Sequence, residues 1–159
     1  AQLYDALVLR TQVDPVSLSE VILGCVTQQG EQAANIAKTS ALGAGWPASV
    51  AGMTINRFCS SSIDAIALAA MKVNCGQASA LVAGGVEMMS RVPLMADGAR
   101  VFADHDFGVS HQMLLMGAGA DLIASRGEMS REDLDAVPLV VISVRCARSK
   151  NSAFPLSFP

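Results

Sequence analysis

The sequence predicts a layered α/β fold, a mixed sheet covered by helices, and three observations point to it. Hydrophobic residues make up 52% of the 159-residue chain and aromatics only 4%, so the core must be built from Ala, Val, Ile, Leu and Met, with Gly allowing close backbone approach. Short runs apolar throughout, such as Val21-Ile22-Leu23-Gly24-Cys25-Val26, have the pattern of strands covered on both faces. They alternate with Ala-rich stretches of helical period, the order of a sheet sandwiched by helices. The length suits one core of ordinary size.

Taken in order, Leu3 to Leu9 has apolar positions at 3, 6, 7 and 9, which suits the last turns of a helix, and a polar loop through Asp14-Pro15 follows. After the strand at 21–26, Glu31 to Leu42 reads as a helix with Ile36, Ala37, Ser40 and Ala41 on one face, and Gly43 stands where a helix end favours a left-handed residue. Val50 to Phe58 is extended in character. Ser60 to Asn74 then forms a helix with Ile63, Ile66, Ala67, Ala70 and Val73 on one side, stopped by Gly76. Ala80 to Ala83 is a further buried strand. Residues 92–118 lose all periodicity and are rich in Gly, Asp and Met, the mark of a long loop kept for ligand contact. Order returns at Ala120 to Arg126 and at Ser130, which can cap a helix with Asp133 answering it.

A net charge of -3 with no Lys/Arg-rich run argues against a nucleic-acid partner or a polybasic membrane patch. No segment approaches the roughly 18 uninterrupted apolar residues of a spanning helix, and Ala1-Gln2-Leu3-Tyr4-Asp5 has none of the regions of a signal peptide. A cytoplasmic location is therefore expected. Cys25, Cys59, Cys75 and Cys146 form no C-x-x-C pair, so neither a metal site nor a redox pair is expected.

Cys59 stands at the junction of an extended segment and a helix, in Asn56-Arg57-Phe58-Cys59-Ser60-Ser61-Ser62. A thiol at a helix N-terminus meets free backbone N–H groups and the positive end of the helix dipole, which favour a nucleophile and can stabilise the oxyanion formed when a thioester is attacked. Cys25 and Cys75 are read instead as buried structural residues. His105 and His111 fall in the loop, where a histidine is more often solvated than catalytic, and Met113 and Met116 are weak candidates for lining an acyl pocket.

The segment around Cys59 resembles the nucleophile motif N-R-x-C-[AS]-S-G of the thiolase family. Gly24-Cys25-Val26-Thr27-Gln28, Gly30-Glu31-Gln32 and Asn35-Ile36-Ala37 resemble that family's G-C-V-x-Q-x-G-E-Q-x-x-N-I-A, and Ala83-Gly84-Gly85-Val86-Glu87-Met88-Met89-Ser90-Arg91 resembles A-G-G-V-E-S-M-S-R. Gly119-Ala120-Asp121-Leu122-Ile123-Ala124 and Ser130 to Ala136 are similar to the end of its substrate loop and the helix after it. The resemblance spans residues 3–136, with 92–118 as the substrate-loop region. It implies the N-terminal half of a thiolase-like fold without its first strand and without the C-terminal half, and an acyl-CoA C-acyltransferase of fatty-acid metabolism such as β-oxidation. In that chemistry Cys59 takes an acyl group from a 3-ketoacyl-CoA or acetyl-CoA, and CoA removes it in a second step. The resemblance implies CoA thioesters as substrates, no cofactor or metal, and a full-length homodimer or tetramer.

Two departures matter. Ser62 stands where the family usually has Gly, so either its side chain crowds the junction or the helix shifts slightly to take it. The family's activating His and second Cys, in G-H-P and C-x-G motifs, have no counterpart in this sequence, so the chain alone is expected to be inactive. A non-catalytic remnant or interaction scaffold is the alternative reading, and a cysteine hydrolase lacks placed His and Asp partners. From 137 to 159 the sequence turns β-like, then basic, and this non-family tail is expected to be poorly ordered. A reading-frame shift would explain it: Val141 to Pro155, read from the third base with chosen GC-rich codons, gives H-Q-R-A-L-R-A-Q-Q-E-Q-R-F-P, the helix the resemblance implies there, and the nucleotide sequence of the gene tests this expectation.

Overall fold

The computed structural model describes residues 1–138. The chain divides into two compact units, Ala1–Ala99 and a second from Arg100 onward. The expectation of poor order for the tail lies outside the described residues from Leu139 on; Val137 and Pro138 are helical, closing the described part of a helix at 131–138.

The first unit is built on three strands, β1 (Glu20–Gly24), β2 (Ala51–Ile55) and β3 (Val82–Gly85), in the order β2-β1-β3. Both pairings are parallel, with Val21 beside Gly52 and Val82, and Gly24 beside Ile55 and Gly85. A mixed sheet was the expectation from sequence; every strand pair among the described residues is parallel. Strand β1 is central and covered on both faces, as its apolar run predicts. Val21 and Leu23 pack into a core with Tyr4, Ala37, Ala41, Trp46 and Val50, and Ile22 packs on the other face against Ala65 and Ala69. Val21 and Ile22 are fully buried, which stabilises the fold by about 1.5–3 kcal/mol for each.

Helices α1 (Gln2–Thr11) and α2 (Ile36–Gly43) belong to the first core, and α3 (Ser61–Asn74) to the second, so the unit is a three-layer sandwich. On α1 the buried side chain is Tyr4, stacked at a tilt on Trp46 with ring centroids 4.6 Å apart, while Leu3 and Leu9 are exposed. The expected 31–42 helix begins only at Ile36. Residues Gly30–Gln32 form a separate 3-10 turn, Ala34 has φ +57°, and Asn35 caps α2 by accepting the Lys38 N–H at 3.2 Å. Its end also lies later than expected, because the left-handed residue is Gly45 (φ +74°) rather than Gly43. Gly76 (φ +74°) follows α3 as predicted.

The apolar stripe of α3 does not face the sheet. Ser61, Ala65 and Ala69 do, whereas Ile63, Ile66 and Val73 are exposed. Close approach explains the inversion. A side chain at Gly24 would put its Cβ 2.5 Å from the Ser61 carbonyl carbon, so only the small-residue face of α3 can lie this near β1. Strand β3 begins two residues later than expected and is half-buried rather than buried.

In the second unit, the stretch expected to lack structure holds a 3-10 turn at Arg100–Phe102, a short helix α4 (His105–Ser110) capped by Asp104, and the start of α5 (Met116–Arg126). Asp104 Oδ1 accepts the Phe107 N–H at 3.0 Å, a local cap that needs no apolar periodicity and so left no trace in the pattern of hydrophobics. Ser130 and Asp133 form the expected reciprocal cap. The Asp133 N–H donates to Ser130 Oγ at 3.1 Å, while the Ser130 hydroxyl donates to Asp133 Oδ2 at 2.7 Å and the Ser130 N–H to the same oxygen at 3.0 Å; the hydroxyl bond, then the N–H bond, pulls the Asp133 carboxyl below its usual range. Among the described residues, no helix is long and apolar enough to cross a membrane.

Candidate functional site

All three strands of the first unit end on the same edge of the sheet, where a parallel α/β sheet places its ligand sites. The chain leaves β2 there through Asn56 to Ser60 and turns into α3. Asn56 Oδ1 accepts the Phe58 N–H at 2.9 Å, and Asn56 Nδ2 donates to the Val26 carbonyl at 3.3 Å. Phe58 takes φ +49°, a conformation that a bulky L-residue adopts only when its surroundings over-determine it. Ser61 supplies much of that determination. It is buried, its Oγ accepts the Arg57 N–H at 2.8 Å and donates to the Phe58 carbonyl at 2.6 Å, and its own N–H donates to the same carbonyl at 3.0 Å. Arg57 reaches forward to both carboxylate oxygens of Asp64, at 3.1 and 2.9 Å.

This tight turn lifts Cys59 to the surface immediately before the Ser60 N-cap of α3, where it is exposed. The N–H groups of Cys59, Ser62 and Ile63 have no acceptor among the described residues, leaving free donors on the nucleophile's own residue and in the first turn of α3. Cys25, by contrast, is buried as expected. Cys75 is not: it is exposed at the C-cap of α3, its Sγ 3.5 Å from the Lys72 carbonyl, because a position just past a helix end has no layer above it.

Ser62 is accommodated by Gly85. A Cβ on Gly85 would lie 1.9 Å from Ser62 Oγ and 3.1 Å from Ser62 Cβ. The Ser62 side chain therefore fills the space that glycine leaves open on β3.

Next to the turn lies a polar cluster drawn from the loops after β1 and β3. Glu87 Oε1 accepts the backbone N–H groups of Val26 and Thr27, the latter at 3.1 Å. Gln32, almost fully buried, donates through Nε2 to the Thr27 carbonyl at 2.9 Å, to Glu87 Oε2 at 3.2 Å and to Cys25 Sγ at 3.6 Å, and accepts the Met88 N–H at 2.6 Å. Burial, followed by the negative charge of Glu87, pushes the Cys25 thiol up to about 11. That keeps Cys25 protonated and unreactive near neutral pH.

The other candidates read from sequence lie in the second unit. Met113 and Met116 are both exposed, Met116 at the first position of α5. His105 opens α4, and His111 stacks on Phe107 at 4.2 Å with its Nδ1 2.9 Å from Ser110 Oγ. Among the described residues, no group of His, Cys, Asp or Glu has a geometry that could hold a metal ion. Reading from sequence gave no role to Ser61, Asn56, Gln32 or Glu87, although all four stand inside the motifs it singled out. Glu87 and Gln32 meet across 55 residues, too far along the chain for a single sequence to signal the pairing.

Comparison with known proteins agrees with this architecture. A family model described as "Thiolase, N-terminal domain" matches residues 1–151. The chain is 35% identical over 144 residues to a steroid 3-ketoacyl-CoA thiolase of Mycobacterium tuberculosis, covering 82% of this chain and 35% of that protein. It is 44% identical over 102 residues to a 3-oxoadipyl-CoA/3-oxo-5,6-dehydrosuberyl-CoA thiolase of Escherichia coli, covering 64% of this chain and 25% of that protein. A crystal structure of the Bacillus anthracis acetyl-CoA acetyltransferase superposes with a TM-score of 0.51 at 48% identity, over 54% of this chain and 22% of that one. The chain thus spans about a third or less of the length of these relatives. With the family model covering nearly the whole chain, the chain belongs to the thiolase family.

Proposed function

We propose that the chain carries the acyl-accepting part of an acyl-CoA C-acyltransferase, with Cys59 as the residue that takes the acyl group. The observation that carries this reading is an exposed thiol beside unpaired helix-terminal N–H groups, at the strand-end edge of a parallel sheet. The Cys59 sulfur attacks the thioester carbonyl of acetyl-CoA, the carbon–sulfur bond to CoA breaks, the thiol proton passes to the departing CoA, and an acetyl thioester remains on Cys59. The negative charge that develops on the carbonyl oxygen is met by backbone N–H donors such as that of Cys59. A second CoA thiol reverses the exchange, so the reaction is ping-pong. The names of the relatives, steroid 3-ketoacyl-CoA and 3-oxoadipyl-CoA thiolases among them, support acyl-CoA substrates.

Cleaving a 3-ketoacyl-CoA asks for more than thioester exchange. The bond between C2 and C3 breaks, its electron pair goes to the enolate of acetyl-CoA, and a proton must be delivered there. The sequence has no G-H-P or C-x-G motif to supply the histidine and second cysteine that the family uses, so the inactivity expected of the chain alone applies to this cleavage, and thioester exchange at Cys59 is the partial reaction proposed for it. Incubation with acetoacetyl-CoA and CoA tests this: consumption stays at the protein-free rate, while acetyl-CoA acylates Cys59. Sustained consumption of acetoacetyl-CoA overturns the incomplete-site reading, and failure of both reactions favours the non-catalytic one.

A further inference from the structure

The Glu87 carboxylate is linked to the residue before Cys59 by an unbroken run of hydrogen bonds. Glu87 Oε1 holds the N–H of Thr27 at 3.1 Å. The carbonyl of that same peptide group, Val26 C=O, accepts Asn56 Nδ2 at 3.3 Å. Asn56 Oδ1 in turn accepts the Phe58 N–H at 2.9 Å, and Phe58 is the residue held at φ +49° immediately before Cys59. A peptide group gripped by a carboxylate on its N–H side is polarised and becomes a better acceptor on its carbonyl side, so each link strengthens the next.

The carboxylate is itself fixed from the core. Gln32 bonds Glu87 Oε2 at 3.2 Å and is held by the Thr27 carbonyl and the Met88 N–H. The backbone also ties these loops, with Cys25 N–H to the Ile55 carbonyl and Val86 N–H to the Gly24 carbonyl, both 2.9 Å, but those bonds only prolong the strand ladder. Nothing in the ladder reaches the Phe58 peptide. A charged residue placed to accept two adjacent backbone N–H groups on a neighbouring loop does work that a hydrophobic residue at this exposed position could not.

We propose that Glu87 is a positioning residue for Cys59, acting through the Val26–Thr27 peptide and the Asn56 side chain. The proposal rests on the reading of Cys59 as acyl acceptor. Asn56 is the joint of the device, and Glu87 and Gln32 are its anchor.

The test measures acetyl uptake by Cys59 from acetyl-CoA in the whole chain, by peptide mass spectrometry, against alkylation of the same thiol by iodoacetamide, which needs access but no fixed geometry. Glu87→Ala is expected to slow acetyl uptake about tenfold, the order of effect of a small misplacement of a reacting atom, with alkylation within about threefold of the unmodified chain. Glu87→Gln retains an acceptor oxygen for the two N–H groups and is expected to recover most of the uptake rate. Asn56→Asp keeps the acceptor for Phe58 and removes the donor to Val26, so it slows uptake like Glu87→Ala, and adding Glu87→Ala to it slows uptake no further. Should Glu87→Ala fail to fold, Asn56→Asp alone decides, because a wild-type uptake rate in that variant overturns the proposal. Equal slowing by Glu87→Ala with and without Asn56→Asp also overturns it, as does a parallel fall in alkylation and uptake. Absence of uptake in the unmodified chain is a different failure: it removes the acceptor reading, and the positioning role with it.

Discussion

Replacing Gly24 with Ala tests the close approach on which both the fold and the site depend. The added Cβ would lie 2.5 Å from the Ser61 carbonyl carbon, 2.6 Å from the Ser62 nitrogen and 2.7 Å from Ser61 Cβ. The first two are backbone atoms, so no rotamer change relieves the overlap. Restoring an ordinary contact of 3.4 Å requires the first turn of α3 to move off β1 by about 1 Å. Overpacking of this kind costs about 1–3 kcal/mol, which in a chain of this size lowers the melting temperature by about 3–10 °C. The same movement stretches the Ser61 bonds to Arg57 and Phe58 that hold the turn, so acetyl uptake by Cys59 should fall with stability. Gly84→Ala is the control, since its Cβ meets only Leu23 Cδ2 at 3.9 Å. Thermal melting by circular dichroism compares the two. A Gly24→Ala chain that melts with the Gly84→Ala chain refutes the argument.

The fit of Ser62 against Gly85 predicts a rescue. Gly85→Ala should destabilise by about 1–3 kcal/mol, and adding Ser62→Gly should recover most of it, leaving only the 3.0 Å approach to the Gly24 carbonyl; a double-mutant cycle by urea melts measures the coupling. Phe58→Val puts a β-branched residue at φ +49° and should cost about 1–2 kcal/mol although Phe58 is exposed, whereas Phe58→Gly should stay within about 1 kcal/mol of the unmodified chain. The raised Cys25 thiol favours the protonated form in the folded state, so its contribution to stability is complete below pH about 9 and is lost as pH rises toward about 11. Melting temperatures of the unmodified chain and Cys25→Ala, compared across that range, should converge as pH rises.

What was legible in the sequence followed from local chemistry. The apolar run from Val21 marked the covered strand, although β1 ends at Gly24 rather than Val26, Gly76 stopped α3, and Ser130 with Asp133 capped its helix, because each signal sits within a few residues of its effect. The orientation of α3 was not legible. Its larger apolar residues suggested the buried face, and only the close approach of Gly24, far away in sequence, reverses that. The 92–118 stretch misled for a related reason, since α4 is begun by the Asp104 cap rather than by hydrophobic period. The thiol of Cys59 was found by motif and by its place before a helix. Its supports were not, because Glu87 meets Val26 and Thr27 across about 60 residues, and one sequence carries no sign of which distant polar residues will meet.

Whether Cys59 accepts the acyl group is decided by the site of acetylation after incubation with acetyl-CoA, read by peptide mass spectrometry with and without hydroxylamine, which cleaves thioesters. One hydroxylamine-labile acetyl group is expected on the peptide containing Cys59, absent in Cys59→Ser and absent from Cys25 and Cys75. An acetyl group that persists in Cys59→Ser, or that is found on another cysteine at the same rate, contradicts it.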